Sequence, residues 1–194
     1  PARKGKHVPI ELSLALHSDA GYNKDGKTTV GALAICTTDY NDGILNSGIS
    51  RFTSKDFARA LRDNLVTDLT AQFGEFGKRY LWDRNYSETR LPEVPSAILE
   101  MLSHQSFPDM RIAQDPLGKF YIARSIYKTI LRFVNSNHGT RYVVQPLAPQ
   151  NFSVTQNQGV ALLSWTAQLD KTEPSARPTS YIIYKAEGQG GFDN

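Results

Sequence analysis

Ser96-Ala97-Ile98-Leu99-Glu100-Met101-Leu102 is an apolar run broken by a single carboxylate. Its length suits a strand, and its near-continuous apolar character suits a strand covered on both faces. Such a strand needs helices to cover it, and the chain supplies one on either side in sequence. Upstream, Phe57, Leu61, Leu65, Leu69 and Phe73 recur every four residues and make one apolar stripe along a helix. Thr53 or Ser54 can cap its start, and Gly74 and Gly77 can end it. Downstream, Asp115-Pro116 sets a capping acid before a proline at the first helical position. Phe120, Ala123, Ile126, Tyr127, Ile130 and Val134 then form the apolar face of a second helix.

Working outward, Ile10, Leu12, Leu14 and Leu16 alternate with Glu11, Ser13, Ala15 and His17, the period of a strand with His17 at its C-terminal end. Thr28 to Cys36 reads as another strand, after turn signals at Asp19-Ala20-Gly21 and Asn23-Lys24-Asp25-Gly26. Between Lys78 and Pro95 the pattern is irregular and rich in aromatic and Arg residues. Residues 9–136 therefore run strand, strand, helix, strand, helix. That order predicts an α/β domain, an open mixed sheet with flanking helices.

Composition shifts after Tyr142. Pro146, Pro149, Pro174 and Pro178 punctuate short β-rich pieces, among them Ala161-Leu162-Leu163-Ser164-Trp165 and Tyr181-Ile182-Ile183-Tyr184, with no helical period. We read residues 1–142 as one domain, and residues 143–194 as a linker and part of an all-β sandwich, about half the length such a sandwich needs.

The 194 residues are 40% hydrophobic and 21% charged, a globular composition. No stretch approaches the roughly 18 uninterrupted apolar residues of a membrane span. The net charge of +3 comes from scattered basic residues, which argues against a nucleic-acid partner, where a concentrated basic face is the rule. Cys36, the single cysteine, lies inside a predicted strand and suits packing better than attack.

Glu100 is the residue most in need of a reason. Glutamate is rarely buried without a partner, and carboxylates in perturbed surroundings gather at functional sites. The plain alternative is a strand-end carboxylate turned to water or paired with Arg90. His17 ends its strand just before Ser18-Asp19-Ala20-Gly21. In open α/β sheets, side chains at carboxyl ends of strands line the ligand crevice. A lone His there is more often a structural hydrogen-bonder than a metal ligand, but with Glu100 on a second strand the pair points to a shared site. Asp19 fits the turn better than a metal pair with His17. Ser103-His104 lacks the Gly-x-Ser-x-Gly elbow of a nucleophilic serine.

Leu14-Ala15-Leu16-His17-Ser18-Asp19-Ala20-Gly21 and Val94-Pro95-Ser96-Ala97-Ile98-Leu99-Glu100 together resemble two segments of the zinc-dependent N-acetylmuramoyl-L-alanine amidases, and Asp109 falls where that family commonly carries an acid. Trp82-Asp83-Arg84-Asn85-Tyr86-Ser87-Glu88-Thr89-Arg90 and Leu102-Ser103-His104-Gln105 are similar to a variant in large secreted Bacteroidetes proteins that carry the label "xanthan lyase". The β-module, with Leu163-Ser164-Trp165 and Pro178-Thr179-Ser180-Tyr181, is similar to fibronectin type III repeats. Leu102 stands where the amidases commonly have glycine after the catalytic Glu.

The resemblance implies a peptidoglycan hydrolase with Zn²⁺ as cofactor, acting on the amide between N-acetylmuramic acid and L-alanine in the cell envelope (periplasmic) or outside the cell. It makes His17 a zinc ligand, with the other ligands upstream of Pro1, and Glu100 the catalytic Glu. The metal would polarise the carbonyl and activate water, with Glu100 moving the proton. Arg90, with the Trp82 to Tyr86 stretch, is the candidate for binding substrate. The chain alone is then expected to be inactive. Two rivals stand beside this: a polysaccharide lyase of the xanthan type, and a non-catalytic protein that binds cell-wall glycan.

Overall fold

The computed structural model describes residues 10–186, 188, 190 and 191. The chain divides into two units, Pro1–Tyr142 and Val143–Asn194.

The first unit is built on four strands: β1 (Ser13–Asp19), β2 (Ala32–Cys36), β3 (Lys78–Asp83) and β4 (Ser96–Ser103). Their order across the sheet is β1-β4-β2-β3. β1 runs parallel to β4 and β2 parallel to β3, while β2 and β4 are antiparallel, so the sheet is mixed. Four helices accompany it: α1 (Phe52–Phe73), α2 (Ser87–Arg90), α3 (Phe107–Gln114) and α4 (Pro116–His138). The expected α/β architecture, a mixed sheet with flanking helices, is what the chain adopts.

Alternation along the central strands separates two faces. Ala32, Ala34 and Cys36 of β2, with Ala97 and Leu99 of β4, pack with Phe57, Leu61, Leu65 and Leu69 of α1. Phe57 is fully buried and sits 5.0 Å, centroid to centroid, from Phe133 of α4. Burying one such ring stabilises the fold by about 1.5–3 kcal/mol. Lys128 of α4 meets Asp68 of α1 at 2.8 Å, so the two helices are joined by a buried ion pair as well as by apolar contact. Leu33, Ile35 and Ile98 turn to the other face, with Ala15 and Trp82 packed against them. By the same alternation, His17 and Glu100 belong to this second face.

Asp109 of α3 ties the ends of the sheet together. Its carboxylate accepts from the backbone N–H of Val30 at 2.7 Å, of Gly31 at 2.9 Å and of Ser103 at 3.1 Å, and from the Ser106 hydroxyl at 2.6 Å. The carboxylate thereby pins the start of β2 and the end of β4 to one side chain. Gly31 beside it has φ of +82°, and a Cβ there would lie 1.7 Å from the Gly77 carbonyl oxygen. That crowding is why the chain has glycine where β2 meets the entry to β3.

Several expected boundaries moved. The first strand begins at Ser13 rather than Ile10 and continues past His17 to Asp19, because β4 offers partners only over that range. β2 begins at Ala32, since Thr28 and Val30 N–H groups are taken by Asp25 and Asp109 side chains instead of a neighbouring strand. α1 starts at Phe52 behind Arg51, without the expected Thr or Ser side-chain cap, and stops at Gly74 as expected. Asp115 does cap α4, accepting from Leu117 N–H at 2.8 Å. β3, α2 and α3 were not anticipated.

In the second unit, β5 (Gln150–Asn157) and β6 (Val160–Thr166) form an antiparallel hairpin. Gln158 and Gly159 turn it at φ of 49° and 80°, the doubly positive conformation of a tight two-residue hairpin loop. Ala161 to Trp165 is the strand the sequence predicts, but Tyr181 to Tyr184 is not a strand: among the described residues it has no laddered neighbour. Trp165 instead meets the Tyr181 ring edge-on at 5.1 Å. Phe152, Val154, Leu162 and Ile182 are exposed, so little apolar surface is sequestered. A two-stranded hairpin is marginal on its own. Limited proteolysis is therefore expected to cut within residues 143–191 well before residues 10–142, and equal resistance of the two would contradict this.

Candidate functional site

Adjacent strands put His17 and Glu100 side by side. In the parallel β1–β4 ladder His17 is the direct partner of Glu100. Each lies inside its strand, two or three residues short of the end, and not at the strand end where the sequence suggested. The irregular register that follows, where Asp19 pairs with Ser103, marks the sheet margin. Ser103 Oγ donates to the Gly21 carbonyl there and so fixes the loop after β1 against the end of β4.

Three further ionisable groups, Glu88, Asp19 and Arg79, gather about His17 and Glu100. The Nδ1 atom of His17 is 3.6 Å from Glu100 Oε1, and its Nε2 is 3.0 Å from Glu88 Oε1. The imidazole thus lies between two carboxylates. Asp19, at the end of β1, holds the Arg79 guanidinium of β3 through Nη2 at 2.7 Å. Glu100 is 9% exposed. Its burial pushes the carboxyl above the ordinary glutamate range. His17 and Arg79 pull it back, and Asp19 and Glu88 push it further up. A carboxylate so raised holds a proton more readily, as a group that takes and returns protons should.

Glu100 is therefore neither turned to water nor paired with Arg90. Arg90 donates to Asn85 Oδ1 at 2.8 Å and lies over the Tyr40 ring, 5.6 Å from its centroid. Among the described residues Arg90 pairs with neither Glu88 nor Glu100, whose ion-pair partner is His17. Asp19 is more than a turn residue, since it anchors Arg79. His104 binds Ser18, its Nδ1 lying 3.2 Å from both the hydroxyl and the carbonyl oxygen. His138 meets Glu11 at 3.2 Å on the surface, and His7 lies outside the described residues. Cys36 is buried, and desolvation with Asp83 nearby pushes its thiol up to about 11, so it stays protonated and inert.

Glu88 and Arg79 escaped the sequence reading. Glu88 sits in a four-residue helix too short to show any period. Arg79 belongs to β3, whose Lys-Arg-Tyr-Leu-Trp-Asp sequence has no clean alternation. Lys78 pairs with Asp63 of α1 on the helical side of the sheet, and Arg79 next to it reaches the opposite side. A second Arg or acid beside a buried Glu is the only available signal, and it needs the fold to be seen.

A catalytic zinc usually takes three converging protein ligands and one open position. Among the described residues no group of three or more His, Cys, Asp or Glu side chains is arranged to hold a metal ion. Glu88 and Glu100 face opposite nitrogens of the His17 ring, so the three donors do not surround one point. By themselves these residues do not fit a zinc ion.

No family model matches the sequence, and no curated protein matches it. Solved structures do. The CwlD amidase of Clostridioides difficile, solved with the GerS lipoprotein, superposes with a TM-score of 0.51 at 15% identity, over 67% of this chain and 57% of that one. The N-acetylmuramyl-L-alanine amidase Ami1 of Mycobacterium smegmatis gives 0.50 at 20% identity, over 65% and 55%. An N-acetylmuramoyl-L-alanine amidase of Clostridium difficile 630 gives 0.49 at 16% identity, over 65% and 59%. The chain thus spans somewhat more than half the length of these proteins. What it shares with the first two is the fold.

Proposed function

We propose that this chain is part of a peptidoglycan hydrolase that cleaves the amide between N-acetylmuramic acid and L-alanine. The observation that carries the reading is Glu100, a buried carboxylate raised above its ordinary range and set in register with His17. Support comes from a fold shared with amidases of that name and from the two sequence segments that bear His17 and Glu100. In the proposed reaction Glu100 takes a proton from water as the water oxygen bonds to the amide carbonyl carbon. The tetrahedral species then collapses with loss of the C–N bond, and Glu100 returns the proton to the leaving nitrogen. The products are the muramic acid carboxyl group and a stem peptide with a free L-alanine amino group. Glu88, on the far side of the imidazole, holds the His17 ring in place. Arg90 remains a candidate to bind substrate away from the reacting bond.

The substrate sets the location we propose, the cell envelope or the exterior. Among the described residues no helix is long and apolar enough to cross a membrane. The fibronectin type III-like reading of residues 143–194 is likewise a proposal, supported by the hairpin of β5 and β6. Digestion of peptidoglycan by the protein that carries this chain, followed by mass analysis, tests the function. Stem peptides beginning with free L-alanine are expected. Unsaturated sugar ends would instead favour the lyase, and binding without any product would favour a glycan-binding role.

Zn²⁺ enters this proposal through His17, the one ligand that the resemblance assigns to these residues. The 194-residue chain is accordingly expected to keep no zinc after dialysis against a weak chelator. One equivalent retained, and lost in His17→Ala, would mean that the site is complete within this chain.

A further inference from the structure

An irregularity in β3 decides where its aromatic side chains go. Between the ladder pairs Ala32–Lys78 and Ala34–Leu81, β2 spends one residue, Leu33, while β3 spends two, Arg79 and Tyr80. An extra residue of this kind re-aims the side chains around it. Lys78 and Leu81 both turn to the helical side, toward Asp63 of α1 and the main core. Arg79 reaches the opposite side, to Asp19. Tyr80 goes the same way: its ring lies beside that of Trp82, which packs against Leu33, Ile35 and Ile98. Tyr80 and Trp82 therefore share the face that holds His17 and Glu100. In the ladder His17 pairs with Glu100, Glu100 with Leu33, and Leu33 stands opposite the extra residue. Tyr80 thus ends the same cross-strand row two strands from Glu100, a lateral span on the order of 10 Å.

Tyr80 is open to solvent, at 66% exposure. The ring planes of Tyr80 and Trp82 are 11° apart with centroids at 6.0 Å, and the Arg84 guanidinium lies 4.4 Å from the Trp82 centroid. Arg84 N–H still donates to the Cys36 carbonyl, so its backbone runs on beside β2. Three flat groups at every second residue therefore line one edge of the sheet face, and Arg84 and Trp82 brace the Tyr80 ring from behind. Single exposed aromatics are ordinary on a protein surface. Two parallel rings, braced by a guanidinium and in one row with a buried carboxylate, form a platform that begins at the candidate site.

Resting on the reading above, we propose that Tyr80 and Trp82 form a subsite for the glycan strand, in which a pyranose ring lies flat against Tyr80 while the muramoyl amide reaches the His17 and Glu100 end of the row. The class of ligand follows from the shape and polarity of the platform. A pyranose presents an apolar C–H face ringed by hydroxyls. Tyrosine and tryptophan answer it with an electron-rich apolar face and a polar tip. The charges on β3 and just after it are already engaged: Lys78 with Asp63, Arg79 with Asp19, Asp83 with Lys55, and Arg84 over Trp82. Rings rather than charges therefore meet the ligand, which favours an uncharged sugar over the stem peptide and its carboxylates. The span of the row suits a sugar next to the muramic acid, so Tyr80 acts on binding of the strand and not on the reaction.

The test is calorimetric binding of soluble glycan strands stripped of peptide, and separately of free stem peptide, to the protein that carries this chain. Glu100→Gln serves as the parent, so that nothing is cleaved. The parent is expected to bind the strands, and Tyr80→Ala to weaken that binding about five- to tenfold, the loss of one well-placed ring contact. Tyr80→Phe keeps the ring and should retain most of the affinity. Because Tyr80 is exposed, Tyr80→Ala should melt at the temperature of its parent. With Glu100 restored, Tyr80→Ala should raise KM on strands that carry peptide by a similar factor and change kcat little. Strands that do not bind, or that bind Tyr80→Ala as tightly as the parent, would overturn the inference and leave the amidase reading intact. So would a loss in Tyr80→Ala confined to free stem peptide. Tyr80-dependent binding of strands by a protein that releases no peptide from peptidoglycan would keep the subsite and overturn the amidase reading.

Discussion

Asp109→Ala is expected to destabilise the first unit by about 3–5 kcal/mol, because it strips acceptors from several buried donors at once. The backbone N–H groups of Val30, Gly31 and Ser103 all end on this carboxylate. Alanine leaves them without a partner and opens space for little more than water. The Ser106 hydroxyl loses its acceptor too, at the N-terminus of α3. Asp109→Asn should cost less than alanine, since one carbonyl oxygen remains, but its amide N–H₂ would face donors where the second oxygen stood. Urea unfolding followed by circular dichroism measures both. A loss below about 1 kcal/mol for alanine would mean that other groups or water replace the carboxylate without difficulty.

This same residue shows where sequence reading stops. A family resemblance marks Asp109 as a usual place for an acid, but nothing local says that its partners lie 78 and 79 residues away. Long, regular signals were legible. The four-residue stripe from Phe57 to Phe73 is α1, and the Asp115-Pro116 cap opens α4. The apolar run from Ser96 is β4, and its interruption at Glu100 lies in the candidate site, beside His17. Short or mixed segments were not legible. β3 alternates poorly because one face meets α1 through Lys78 while the other carries Arg79 toward Asp19. α3 has eight residues with a proline in its first turn, too few for a period to show.

Within the candidate site, the members on regular strands were found and those held by tertiary pairing were not. His17 and Glu100 stand out because each is a polar residue set into an apolar alternation. Glu88 and Arg79 lie among other charged residues, where a functional charge looks like a solvated one. Only the paths to His17 Nε2 and to Asp19 separate them from their neighbours.

Glu100 itself works against the stability of the fold. A carboxyl whose value rises on folding favours the folded state while it is protonated, and that advantage is lost as pH rises through the folded value. At neutral pH the buried charge is therefore a cost that the fold carries. Glu100→Gln removes the charge and keeps the volume. It is expected to leave the melting temperature at pH 7 unchanged or higher, and to reduce it relative to wild type at no pH above the carboxylate range. Activity should move the other way. A positioned general base contributes about 10²–10⁴-fold, and glutamine cannot take the proton. In the wild type, the acid limb of the pH profile should lie above that of an ordinary glutamate, because in the proposed reaction Glu100 must be ionised to act.

The most direct measurement is peptide release from peptidoglycan by the protein that carries this chain, wild type against Glu100→Gln, with products identified by mass. The account predicts stem peptides with free L-alanine from the wild type, and a rate at least about 100-fold lower from a folded Glu100→Gln variant. Release by the variant at a rate near that of the wild type would contradict it.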